Sequence, residues 1–446
     1  MAFTDSLVAY SDADVLLVDR RHRPGGHWND DYPFVRLHQP SAFYGVDSRK
    51  LGADRIDATG SNAGFYERAS GAEVCDYYAR VLDEELISSG RVRFLGMHDY
   101  RGETAGEHEI TSLLTGETIS VRVRRKLVDA TYIATTTPST HKPAFSVDPG
   151  ARVIIPNRLV DLVDAGSGFT VMGAGKTSMD TCCWLIDQGV SPESIRWIRP
   201  RDPYTVNRSW VQPLSLMGSL IEWIALQTES ASEAKDPIDL VRRLEGNGVF
   251  QRFDPDVEPT IYRGATLSDL ELGALRSIEN VVRLGRLIHV GTDRIELDHG
   301  TIPTDPKHVH IDCTAPGLGT PPPRPVFEGG RITIQRVQAG IDPFSAALIG
   351  RVEATGRDDD GMNRFCPPND MKGETSYFAP SLLVTLLARA AWMADPEVGE
   401  WFAATRLNPL HEASRYMTDA AQASAHRLIQ STAPAIENLQ RMLLPN

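Results

Sequence analysis

Phe169-Thr170-Val171-Met172 runs directly into Gly173-Ala174-Gly175-Lys176-Thr177-Ser178, and Met179-Asp180-Thr181-Cys182-Cys183-Trp184-Leu185-Ile186 opens a helix immediately behind it. An apolar strand, a glycine turn and a helix in succession leave few folds open, because the turn sets the free amides of a helix N-terminus at the carboxyl end of a strand. A parallel sheet with crossover helices is expected, and a pyrophosphate is the expected guest of Gly173, Ala174, Gly175, Lys176, Thr177 and Ser178. Ser178 stands where a third glycine is usual and is small enough for close helix–strand packing. The next strand, 194–198, ends at Arg199, and 199 minus 173 places that residue 26 positions after the first glycine. A cation there, where a carboxylate would bind ribose hydroxyls, suits a 2′-phosphate, and Arg201 can share the charge. NADP is therefore expected over NAD, with exposed loop arginines as the bland alternative. Gly-Lys-Thr also mimics the phosphate loop of nucleotide triphosphatases, but Thr170 occupies the position five before Gly175 where that loop needs glycine.

The 446 residues predict about three domains, or two with one interrupting the other. Hydrophobic residues at 41% and charged residues at 24% match an ordinary globular chain. Forty-six Lys plus Arg against 59 Asp plus Glu give a net charge of -13, which disfavours nucleic acid as a partner. Cys75, Cys182, Cys183, Cys313 and Cys366 form neither an even disulfide framework nor a metal-ligand spacing, so no metal and a reducing, cytoplasmic setting are expected. The most apolar stretches, 213–227 and 381–394, are interrupted by Glu222 and Arg389 and fall short of the ~20 residues a bilayer span needs. No membrane span and no secretion signal are expected.

Near the start, Phe3, Leu7, Val8 and Tyr10 have helical spacing, and Val15-Leu16-Leu17-Val18 reads as a buried parallel strand ending at Asp19 and Arg20. In a dinucleotide-binding unit such an acid lies ~20 residues or slightly more beyond the first glycine of its phosphate turn. Counting back from Asp19 puts that turn at or before Met1, so the reading expects this unit's first strand and glycine loop to be missing from the 446 residues. Arg23-Pro24-Gly25-Gly26-His27-Trp28 follows, then Asp30-Asp31-Tyr32-Pro33 and Val35-Arg36-Leu37-His38-Gln39-Pro40. A strand ending in an acid and followed by GGxW resembles the FAD-binding half of flavin-containing and Baeyer-Villiger monooxygenases. The resemblance implies that Asp19, with Arg20 beside it, meets the adenosine ribose, that Gly25 and Gly26 lie by the FAD, that Trp28 approaches the flavin, and that Arg36 and Gln39 belong to the same site. Taken singly, a Gly-Gly pair is more often a turn, a lone Trp more often core, and Arg36 more often solvated.

The expected fold class is α/β: two Rossmann-like dinucleotide-binding domains, the FAD domain interrupted by the NADP domain, plus a C-terminal helical region. Residues 1–160 form the first part of the FAD domain, 161–305 the NAD(P) domain, 306–360 the FAD return segment with the strand 309–315 and Pro316-Gly317-Leu318-Gly319 as the return crossing, and 361–446 a helical cap. That cap packs on the FAD domain or on a partner chain, the latter giving a homo-oligomer. Asp342, as N-cap of a closing helix with Pro343 after it, is expected to meet the flavin ring. The resemblance implies an FAD- and NADPH-dependent monooxygenase that reduces FAD with NADPH, adds dioxygen to the reduced flavin and oxygenates a small organic molecule through the hydroperoxide. A disulfide reductase of similar architecture needs a CxxC pair, and the adjacent Cys182 and Cys183 point about 100° apart on a helix. The alternative from another class is a truncated, FAD-deficient or non-catalytic nucleotide-binding protein.

Overall fold

The computed structural model describes residues 1–104, 107–370 and 372–444. Nine strands carry the argument: β1 (Val15–Val18), β2 (Val92–Leu95), β3 (Leu127–Asp129), β4 (Val153–Ile154), β5 (Phe169–Met172), β6 (Ile195–Ile198), β7 (Val281–Val282), β8 (Val309–Asp312) and β9 (Arg331–Thr333). The helices that position the site are α1 (Ala2–Tyr10), α2 (Lys176–Asp187), α3 (Met217–Glu233), α4 (Asp342–Glu353), α5 (Phe378–Ala394) and α6 (Asp419–Leu443).

One sheet runs in the order β7-β6-β5-β8-β4, every pair parallel, with Phe169 opposite both Ile195 and Val309. Parallel strands covered on both faces read as unbroken apolar runs, and β5 and β8 are buried at every position. The α2 helix crosses from β5 to β6, packing Met179, Cys182 and Leu185 onto the sheet together with Val171 and Trp197. This is the doubly wound, dinucleotide-binding topology expected from the glycine turn.

Membership of β8 corrects the sequence reading. Of the stretch 309–319 read as the return crossing, Val309–Asp312 is instead a neighbour of β5 within this sheet, while Gly317–Leu318 pairs with Thr135–Thr136 outside it. The sheet of the second domain therefore extends from β4 to β8 rather than ending at 305. Apolar runs report burial in a parallel sheet but not which of two sheets, and this is why the boundary was set too early.

The first half is built from two separate parallel pairs, β1 with β2 and β3 with β9. Asp12 with Arg125 (2.8 Å) and Asp14 with Arg124 (3.6 Å) hold the approaches to β1 and β3 side by side. Among the described residues neither β1 nor β3 has a strand on its second edge. All four residues of β1 and all three of β3 are half-exposed, unlike the fully buried β5. The α1 helix lies across α4 so closely that a Cβ on Gly350 would stand 2.3 Å from the Phe3 carbonyl oxygen. Phe3 and Leu7 thereby join Phe344, Leu348, Trp392 and Trp401 in one core.

The C-terminal helices depart from the expected cap. The α6 helix packs along α3, inside the second half, with Ser431 and Thr228 sharing a 2.6 Å hydroxyl contact and Asn438 donating to the Ala231 and Ala234 carbonyls at 2.8 Å. The α5 helix joins both cores: Phe378, Leu382 and Leu386 pack with Tyr204 and Phe250, whereas Ala388 and Trp392 pack with Phe344. Its helical stretch, Thr375–Ala394, reaches 20 residues and by length and composition is apolar enough to cross a membrane. The sequence reading of 381–394 as too short missed the extra turn and a half at its start. The α4 helix is capped by Ile341 rather than Asp342, which sits in the first turn. Its carboxylate instead accepts from Arg336 Nε at 2.7 Å.

Candidate functional site

The glycine turn lies where β5 meets α2. Gly173 has φ 134, and a Cβ there would stand 2.5 Å from the Cys313 carbonyl oxygen, so both conformation and space require glycine. Its own carbonyl accepts the Trp197 indole N–H at 2.7 Å, fixing the turn to the neighbouring strand. Gly175 is the N-cap of α2 and no side chain caps the helix. First-turn amides have no intrahelical carbonyl to bond, so those of Lys176 and Thr177 remain for an anion. Ser178 is buried with its hydroxyl turned back to the Gly175 carbonyl at 2.7 Å, and Ala174 is half-buried. The Lys176 ammonium pairs with Asp180 one turn along the helix instead of reaching over the turn, which removes the triphosphate-loop reading.

The expectation for Arg199 needs correction. It is 2% exposed, its guanidinium bonds both oxygens of Asp202 at 2.8 and 2.9 Å, and it stacks on Trp197 and Phe253. Its Nε and Nη2 and both its charge and its ring-facing surface are committed within the fold, which makes it a poor phosphate ligand. Arg201 is exposed two residues later, and two arginines that the sequence did not single out stand near it. Burial lowers the pKa of Arg263, and the charges of Arg201 and Arg336 lower it further. Arg263 Nη1 donates to the Pro316 carbonyl at 2.9 Å, beyond the end of β8, and Arg336 holds Asp342 at the start of α4. Arg263 thus lies beyond the end of β8 and Arg336 at the start of α4. No spacing links 201, 263 and 336, so only the fold reveals them.

In the first half, Asp19 ends β1 with its carboxylate accepting the Arg21 amide at 2.9 Å. The buried Met1 amino group at the head of α1 lies within reach of the Asp19 charge. Arg20 points to solvent beside Asp99. Gly25 (φ 118) and Gly26 (φ 55) turn the chain into Trp28, whose indole N–H donates to the Tyr44 hydroxyl at 2.7 Å. Gln39 Nε2 donates to the Gly340 carbonyl at 2.8 Å, which brings Gln39 and Asp342 to one corner. Arg36 is exposed and bonds the Arg68 carbonyl at 2.9 Å, away from that corner.

The segment 27–34 joins the two halves. The Tyr32 hydroxyl donates to Asp180 of α2 at 2.7 Å, and Phe34 stacks on Trp184 at 4.9 Å. Burial holds His27 down at about 4. Burial, with the charges of Asp30 and Asp180, pushes the Asp31 carboxyl up to about 7, and the two side chains approach to 3.9 Å.

No protein-family model matches the chain. Its fold resembles cyclohexanone monooxygenase from Rhodococcus sp. Phi1 bound to NADP+ (10% identity, 98% of this chain and 96% of that one, TM-score 0.46) and thioredoxin reductase from Lactococcus lactis (10%, 81% and 95%, TM-score 0.42). The fold assignment rests on the strand order above and not on these likenesses. Two curated relatives, uncharacterized protein Rv2000 of Mycobacterium tuberculosis and uncharacterized protein Mb2023 of Mycobacterium bovis, are each 40% identical over 411 residues. With 92% of its own length and 75% of theirs in register, the chain belongs to the same family as these mycobacterial proteins.

Proposed function

We propose that the chain is an FAD- and NADPH-dependent oxidoreductase, of the monooxygenase kind, acting on a small organic substrate. The observation that carries the reading is the open Gly173–Ser178 turn at the carboxyl end of a parallel sheet, facing a second α/β half through Tyr32–Asp180 and Phe34–Trp184. The residues present fit a dinucleotide there: the Lys176 and Thr177 amides would take its pyrophosphate, and Arg201 its 2′-phosphate. In the other half, Asp19, Gly25 and Gly26 would hold the ribose and the isoalloxazine side of FAD, with Gln39 and Asp342 at the corner nearest the crevice. Bound, the flavin would supply electron transfer between nicotinamide and dioxygen. The chain's own part is positional: the 27–34 segment shields the crevice from water, and Arg263 and Arg336 place positive charge where the two halves meet.

Arg201→Glu is expected to weaken NADPH at least tenfold, about 1.4 kcal/mol, while leaving NADH affinity nearly unchanged. Fluorescence titration with both nucleotides checks this, and an equal loss for the two would remove Arg201 from the phosphate site.

A second reading, a nicotinamide-nucleotide-binding protein that holds flavin weakly, is favoured by the half-exposed β1 and β3. On that reading the protein is expected to bind NADPH saturably, read by fluorescence titration, while carrying little flavin, read from visible absorbance. Full flavin loading of the protein would count against weak flavin binding.

A further inference from the structure

The stretch 37–39 is fastened at each of its three residues. Arg68 Nη1 donates to the Leu37 carbonyl at 3.2 Å, the Thr266 hydroxyl donates to the His38 carbonyl, and Gln39 Nε2 donates to the Gly340 carbonyl at 2.8 Å, just ahead of α4. Thr266 is tied in turn to Arg208, whose Nη2 donates to its carbonyl at 3.3 Å. The His38 backbone is thereby fixed between the Arg68–Glu271–Arg208 ion triad and the start of α4. Its imidazole is left over. The side chain is half-buried and makes no hydrogen bond among the described residues, yet neither ring nitrogen is sealed from solvent. A group on so constrained a backbone loses little further freedom on meeting a ligand.

The surroundings decide which ligand. The charges acting on the ring are those of Lys176 and Asp180 on α2 and of Arg68 and Arg208. Lys176 pairs with Asp180, and Glu271 lies between Arg68 and Arg208. Arg36 stands two residues back, its guanidinium on the Arg68 carbonyl at 2.9 Å, and Asp31 lies within reach of the Asp180 charge. The cations Lys176, Arg68, Arg208 and Arg36 therefore outnumber the carboxylates Asp180, Glu271 and Asp31, even with Asp31 counted as ionised. An excess of positive charge favours an anion. Burial first, then Lys176 opposed by Asp180, then Arg68 and Arg208, lower His38 to about 3. At neutral pH the ring is accordingly uncharged and offers one N–H donor and one acceptor nitrogen. Lys176, whose charge reaches the ring, is also the first residue of α2, and no side chain caps the amides of that turn. Free helix amides and a free imidazole N–H call for the same kind of partner, a phosphate oxygen.

We propose that His38 is a further nucleotide-contact residue, its imidazole N–H donating to a pyrophosphate oxygen of the dinucleotide whose other oxygens take the Lys176 and Thr177 amides. The inference rests on the nucleotide reading above and gives a role to a side chain that reading leaves idle. The pyrophosphate is common to NADPH and NADH, so His38→Ala is expected to weaken both roughly tenfold in fluorescence titration, the size of one hydrogen bond to a charged group, where Arg201→Glu separates the two. ADP, which carries the diphosphate without nicotinamide, should lose affinity to the same degree by calorimetry. His38→Gln keeps an N–H donor and is expected to stay within about threefold of wild type. In wild type, NADPH and ADP should each move the His38 ring signals saturably in imidazole NMR spectra, His38→Gln identifying those signals. NADPH binding undiminished in His38→Ala, or a glutamine as damaging as the alanine, overturns the proposal and leaves the nucleotide reading standing; no saturable NADPH binding by wild type removes both. Loss of NADPH with ADP unaffected, or ADP that does not bind wild type, overturns the phosphate contact. Should His38→Ala fold poorly, the wild-type ring signals decide, and signals unmoved by ADP sink the proposal.

Discussion

Glu271→Ala is expected to cost about 3–5 kcal/mol of stability, enough to unfold much of the protein at moderate temperature. The Glu271 carboxylate lies buried between Arg68 of the first half, 3.2 Å away, and Arg208 of the second, with which it is in closer contact. It also accepts the Ser268 amide at 2.9 Å while its own amide donates to the Ser268 hydroxyl, a capping box at the start of the helix Asp269–Arg276. Truncation would leave two desolvated guanidiniums facing each other, with Lys176 nearby. Burial acts to raise the pKa of Glu271, but Lys176, Arg208, Arg68 and the Ser268 amide together bring it to about 2. A carboxyl held below its ordinary value contributes stability that is present above about pH 4.5 and is lost as pH falls through about 2. Urea midpoints of wild type and variant, at pH 7 and at pH 3, measure both effects. A change below about 1 kcal/mol at neutral pH would mean that the ion triad is not stabilising.

Asp31→Asn is expected to act in the opposite direction. Its carboxyl is raised from the ordinary 3.8 to about 7, first by burial and then by Asp30 and Asp180. A raised acid binds its proton more tightly in the folded state, so wild-type stability falls as pH rises from about 4 through about 7. Three units at 1.36 kcal/mol each set an upper bound of about 4 kcal/mol. The variant carries no such penalty and should be more stable than wild type at pH 8, with the difference vanishing near pH 4. His27, lowered to about 4, contributes stability present above about pH 6.5 and lost as pH falls through 4. The two groups therefore offset each other in wild type between those limits, and the difference between the two proteins carries the Asp31 signal. Equal stability of wild type and Asp31→Asn at pH 8 would show that Asp31 is ionised without cost.

The intact glycine turn was legible because its requirement is local: only glycine fits at Gly173, between a strand and a helix that follow it directly. The α1–β1 unit was equally plain from apolar spacing. Arg199 was misjudged although a signal existed, since Asp202 three residues on was available to neutralise it. Arg263 and Arg336 carry no such signal, because their partners, Pro316 and Asp342, are set by the fold and not by any spacing to Arg201. Asp342 was placed correctly beside the closing helix, but the cap position shifted to Ile341 because Arg336 captured its carboxylate.

The α5 helix acts as a strut mortised into both lobes, its front turns gripped by Tyr204 and Phe250 and its rear turns by Phe344. Hinge opening at the nucleotide crevice would have to draw one end of that strut out of its socket. Large swings of one lobe against the other are thus coupled to melting, and heating should produce a single calorimetric transition in which neither lobe outlives the other.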